Sequence, residues 1–149
     1  MTPRLLIYER PATELEAKFS MPFCAAAAIV FGHPTIDTFA TDRIADARVQ
    51  QIIPRVTLRA NTAFDAAAPL SRARVTVRLR DGRTLTEEAD GARGYPGRLT
   101  DAELTAKFLG CAERSLSRRA ARLALSALRA IDTTPKVTTL TALCAAGRD

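Results

Sequence analysis

Tryptophan is absent, histidine occurs once, and aromatic residues make up only 5% of the 149 residues. Any core must therefore be assembled from Ala, Leu, Val and Ile. With 47% hydrophobic residues there is enough material for one, and the length fits one domain on the usual scale of about 100–200 residues. A hydrolase triad needs a histidine beside a nucleophile and an orienting group. The single candidate, His33, stands between Gly32 and Pro34 at an expected helix end and reads as a turn residue. Cys24, Cys111 and Cys144 are odd in number and lack CxxC spacing, so they do not suggest a zinc site and read as buried small hydrophobes. No run of about 18 apolar residues exists, so no transmembrane helix is expected. Residues 1–10 lack the apolar centre of a secretory signal, which makes a cytoplasmic location the default.

A phosphate-cradling loop is missing as well. Residues 91–97 hold three glycines but also Pro96, and do not form a strand-to-helix G-x-G-x-x-G. Asp37, Asp42 and Asp46 read as turn and cap residues rather than as a metal cluster. What the chain does have is arginine. The net charge is +6 and the lysines are only Lys18, Lys107 and Lys136. Such a surface can meet an acidic metabolite, another protein or nucleic acid. The arginines are spread over strands and helices without interleaved aromatics, so nucleic acid is not the expected partner.

The chain divides into three zones. In the first, residues 3–8 read as a short strand, and Thr13 with Glu16 has the capping-box form. Pro22 forbids an undisturbed helix. A restart solves this: Ser20 caps, Pro22 sits in the first turn, an Ala-rich helix runs to Phe31, and Gly32 ends it. The four-alanine run, residues 25–28, lets another element approach closely.

In the second zone, Ile44, Val49, Ile52 and Ile53 suggest a short helix ended by Pro54. Alternation over residues 55–60 suggests a strand. Residues 72–80 are the clearest strand, with Ala73, Val75, Val77 and Leu79 on one face and arginines and Thr76 on the other. Asp81-Gly82 predicts a type I′ hairpin turn leading into a paired strand over residues 83–88. That ribbon is expected to bury its Val/Leu face.

The third zone is helical. Thr100 and Glu103 form a second capping box, with Leu104, Phe108 and Cys111 as a buried stripe. Ser117 caps another helix, whose Leu123, Ala127, Leu128 and Ile131 recur at helical spacing. Thr134-Pro135 fits the opening of a last helix through Leu140 and Leu143. Together these elements predict an α+β fold: a small, mainly antiparallel sheet with helices packed on one face, and a helical C-terminal tail.

Several of these segments also carry a resemblance. The run Glu16-Ala-Lys18-Phe-Ser20-Met-Pro-Phe-Cys-Ala-Ala-Ala27, then Arg48-Val49-Gln50, the Asp81-Gly82 strand pair, and the run from Gly94 to Phe108 together resemble the C-terminal part of the MmgE/PrpD family. That family includes 2-methylcitrate dehydratase, cis-aconitate decarboxylase and iminodisuccinate epimerase. The resemblance implies a lid-type domain over residues 1–112. It also implies a helical tail, residues 113–149, that in the family packs on a large helical domain. It implies lyase or isomerase chemistry on small polycarboxylates, without a metal or organic cofactor. The family's main catalytic His, Lys and Asp groups lie mostly in the large domain and the first part of the lid, outside the matched segments. No catalytic residue is assigned here on that ground.

Three readings stay open: an incomplete lid-type part of such an enzyme, a subunit completing an active site with a separate large-domain chain, or an interaction module. The expected partners are a small polycarboxylate and either the large helical domain or a second copy in a dimer, with no membrane. The terminal leucines Leu123, Leu128, Leu140 and Leu143 are the expected contact. Lys18 and Ser20 are the candidate substrate-binding pair. Ser20 stands where free N–H groups and the helix dipole favour an anion, and Lys18 adds charge. The bland reading is a solvated lysine and a plain cap. Lys107 reads as a surface residue laid over Phe108.

Overall fold

Ser20 is completely buried, and its hydroxyl accepts the backbone N–H of Phe23 at 3.2 Å. In this computed structural model, which describes residues 5–67 and 72–145, that cap organises the first of two compact units, Met1–Ala66 and Ala67–Asp149. Helix α1 spans Glu14–Lys18 and helix α2 spans Met21–Phe31. Thr13 caps α1 by accepting the N–H of Glu16. The Glu16 carboxylate reaches back to the N–H of Ala12, at 2.7 Å. Pro22 lies in the first turn of α2, where a missing N–H costs nothing. Gly32 ends the helix at φ 80°, a conformation that a β-carbon resists.

Ala17, Phe23, Ala26, Ala27 and Val49 are all fully buried, joined by Ile44 and Ile53. The alanine face of α2 lets the following elements come close, as its sequence suggests. Those elements are a 3₁₀ turn at Ile36–Phe39, α3 at Thr41–Ile44, α4 at Ala47–Ile52, and a 3₁₀ turn at Ile53–Arg55. The single helix expected before Pro54 is thus two short ones. Asp46 interrupts them by capping α4, accepting the N–H of Arg48 at 2.8 Å.

Two expected strands do not form. Residues 6–8 are irregular, tied by the Tyr8 N–H to the Phe19 carbonyl at 3.3 Å, while residues 3 and 4 lie outside the described residues. Residues 56–60 are irregular too, and Leu58 is exposed. Alternation alone makes no strand without a neighbour to accept its hydrogen bonds.

The second unit opens with the antiparallel ribbon β1, Ala73–Arg78, and β2, Thr84–Ala89. Its turn is not the expected type I′. The Gly82 N–H reaches the Leu79 carbonyl at 3.2 Å and the Leu79 N–H reaches the Arg83 carbonyl at 2.8 Å. Only Gly82 of the turn has positive φ, at 89°. This is a type I turn closed by a bulged glycine.

Register explains the choice. A type I′ turn pairs Arg80 with Arg83 and sets Leu85 against Arg78. The bulged turn sets Leu85 against Val77, Thr86 against Thr76 and Glu88 against Arg74. The two threonine hydroxyls then meet at 3.2 Å and Arg74 forms an ion pair with Glu88. Cross-strand partners of this kind select register.

The α+β class, the antiparallel sheet and the C-terminal helices are as expected. The burial of the ribbon's Val/Leu face is not: Val75 is 57% and Leu85 53% exposed. A two-stranded ribbon has a narrow apolar face, here interrupted by Glu87 opposite Val75.

Helices α5, Asp101–Ala112, α6, Arg118–Arg129, and α7, Val137–Ala145, complete this unit. Both halves of the Thr100–Glu103 capping box form, and Ser117 caps α6. The buried faces differ from the leucine stripes. Leu116, Ala120, Ala121 and Ala124 are the centre, with Phe108, Leu109, Ala112 and Leu143 packed on it. Leu104, Cys111, Leu123 and Ile131 are exposed. Alanine lets helix backbones approach where leucine would hold them apart, so the small face of α6 wins. Thr134 does not cap α7; its hydroxyl donates to the Ala130 carbonyl at 2.7 Å. Arg129, at the C-terminal end of α6, bonds both carboxylate oxygens of Asp101, in the first turn of α5, at 2.6 Å. Each charge suits the dipole of its own helix.

The buried Ser20 cap yields a direct test. Ser20→Ala should lower the unfolding free energy by about 1 kcal/mol, read as a lower urea midpoint at unchanged slope. An unchanged midpoint would remove Ser20 from its organising role.

Candidate functional site

The two residues singled out for binding sit at the α1–α2 junction with opposite exposures. Lys18, in the last turn of α1, is exposed. Ser20 is buried and its hydroxyl is engaged as the α2 cap. The Lys18 side chain is thus open to solvent, whereas the Ser20 hydroxyl is taken up by the start of α2.

A second cluster lies at the other end of α2. Phe31, the last residue of that helix, carries the guanidinium of Arg43 over its ring at 4.6 Å, and that of Arg48 lies 5.6 Å from the same centroid. A cavity of about 240 Å³ opens here, lined by Phe31, His33, Thr35, Asp37, Thr38 and Arg43. Buried Thr38 accepts the Thr35 N–H at 2.9 Å, which fixes one wall. The sequence marked His33 as a turn residue, and so it is. Arg43 was not singled out, because nothing in the spacing from Phe31 to Arg43 marks a turn that folds one onto the other.

The perturbed carboxylates belong to exposed ion pairs. The Arg48 side chain reaches Asp46 at 3.1 and 2.7 Å, and its backbone N–H adds a third bond. Together they pull the Asp46 carboxyl down to about 2. The Arg83 backbone N–H, then its side chain, lowers Asp81. Arg98, at 2.7 Å, lowers Asp90. None of these pairs is buried, so they mark turns and caps rather than an acid–base couple. The Cys24 thiol is half-buried, donates weakly to the Ala17 carbonyl at 3.7 Å, and is pushed up by burial. Cys111 and Cys144 are exposed, against the expectation of burial. No group of three metal-ligating side chains occurs among the described residues. No helix among them is long and apolar enough to cross a membrane.

Against this geometry, the chain's relatives fall into one class. Residues 2–133 match the MmgE/PrpD C-terminal domain, and the chain belongs to that family. It is also similar to a cis-aconitate decarboxylase-like protein, oryM, of Aspergillus oryzae (strain ATCC 42149 / RIB 40). The two are 28% identical over 136 residues, covering 91% of this chain and 28% of that protein. The chain thus spans less than a third of the length of that relative.

The Asp46–Arg48 pair gives a pH prediction. A carboxyl depressed in the folded state adds stability above its ordinary value, about 3.9, and loses it as pH falls through about 2. Carbon-detected titration should place Asp46 at about 2, well below the ordinary aspartate value, and Arg48→Ala should return it toward that value. An Asp46 that titrates normally in the unaltered chain would break this assignment.

Proposed function

We propose that this chain is the C-terminal, lid-type part of a MmgE/PrpD enzyme, a lyase or isomerase of the dehydratase type acting on small polycarboxylates. On this reading it is catalytically incomplete by itself. The observation that carries the proposal is the family match over residues 2–133, combined with the chain spanning 28% of its relative. Proton removal next to a carboxylate needs a positioned base and a group to stabilise the developing charge. In the described residues the only histidine is exposed at a helix end, and the perturbed carboxylates are solvated ion pairs.

On this reading the chain contributes surface and charge. Lys18 offers an ammonium to a substrate carboxylate, and Ser20 fixes the α2 start beside it. The remaining groups come from the large helical domain of such an enzyme, its natural partner, in the cytoplasm. The exposed Leu123, and exposed Val75 and Leu85 on the ribbon, support a surface that meets more protein.

The purified chain should neither decarboxylate cis-aconitate nor dehydrate 2-methylcitrate. Product formation near ~1 s⁻¹, an ordinary enzyme rate, that survives rigorous purification would overturn the proposal.

A further inference from the structure

We infer that the notch at the C-terminal end of α2 is a binding site for a small carboxylate anion, gripped by Arg43. The choice of carboxylate over other anions rests on the function proposed above; the anion site itself rests on geometry. Its volume, about 240 Å³, lies below the ~300–1,000 Å³ of sites for drug-sized ligands and suits a molecule of few heavy atoms.

Arg43 is prepared for such a ligand. The Phe31 ring, 4.6 Å from its guanidinium carbon, holds the group in place. Stacking on a ring leaves the edge N–H groups available, and these match a carboxylate two to two. Its neighbour Arg48 shares the ring but is committed to Asp46 at 2.7 Å. Arg43 makes no ion pair with any carboxylate among the described residues. It stays exposed at the cavity wall.

The other walls supply short polar groups. His33 and Thr35, whose side chains carry hydrogen-bond donors, line the same cavity. Gly32, at φ 80°, turns the chain so that these residues follow Phe31 closely. Asp37 is the opposing charge on the lining and is engaged in an interaction of its own. Its carboxylate limits affinity, which belongs in the millimolar range.

Amide chemical-shift mapping of the whole chain during a citrate titration at fixed ionic strength tests this site, with inorganic phosphate as the second probe. Saturable shifts should centre on residues 31–38 and Arg43, with citrate binding tighter than phosphate. Arg43→Gln should weaken citrate at least about tenfold, the scale of a lost charge-assisted pair, with spectral dispersion retained. Arg43→Lys should restore part of the affinity, and Asp37→Asn should increase it. Shifts centred instead on residues 18–23 or on Arg118, Arg119 and Arg122, unchanged affinity in Arg43→Gln, or no saturable response would overturn the site. Equal binding of phosphate would overturn its carboxylate preference. Neither result bears on the lyase-family role, which is read from turnover rather than from this titration.

Discussion

Close approach of helices through alanine is the constraint on which both units depend. In the first, Ala17, Ala26 and Ala27 are fully buried around Phe23 and Val49. In the second, Ala121 and Ala124 have no exposed surface, and Ala120 and Leu116 little. Few large side chains are available, since Phe23 and Val49 are the only bulky hydrophobic residues with under 2% exposure among the described residues. Each alanine contributes little transfer free energy, because that term scales with apolar area. Its value is geometric. Without long side chains between them, backbones pack at short range and gain dispersion contacts along their length. Helix ends then matter more than usual, and Thr13, Ser20, Asp46, Thr100 and Ser117 each accept a backbone N–H at a helix start.

That division explains what could be read from the sequence. The caps were legible because each is a local event, a hydroxyl or carboxylate two or three residues before the N–H it accepts. Ser20 before Pro22 announced the restart of the helix, and Thr100 with Glu103 announced α5. The buried faces were less legible, because they depend on which partner arrives. Leucine periodicity in α6 pointed to Leu123 and Leu128, yet the alanines at 120, 121 and 124 took the interior and left Leu123 exposed. Residues 55–60 failed for a related reason: their alternation describes a strand, but no neighbouring strand pairs with them. At the hairpin, Asp81-Gly82 located the turn, while cross-strand partners decided its type.

The functional corners follow the same rule. Lys18 and Ser20 were visible as a charge beside a cap, and the structure places one outside and the other inside. The notch around Phe31 was hidden, since it needs Gly32 to turn the chain and Arg43 to return over the ring from a different helix. Fold and family were therefore within reach of local patterns. A site made by tertiary return was not.

If alanine-mediated helix packing carries the stability, protection should be uneven in a defined way. Native-state hydrogen exchange, resolved by residue, is the most direct measurement. The amides of α2 around Ala26 and Ala27, and those of α6 around Ala121 and Ala124, should exchange slowest within their units. The ribbon amides of β1 and β2, whose side chains are exposed apart from half-buried Val77, should open first. A ribbon protected as strongly as α2 and α6 would contradict the account, because its stability would then come from packing other than the alanine faces.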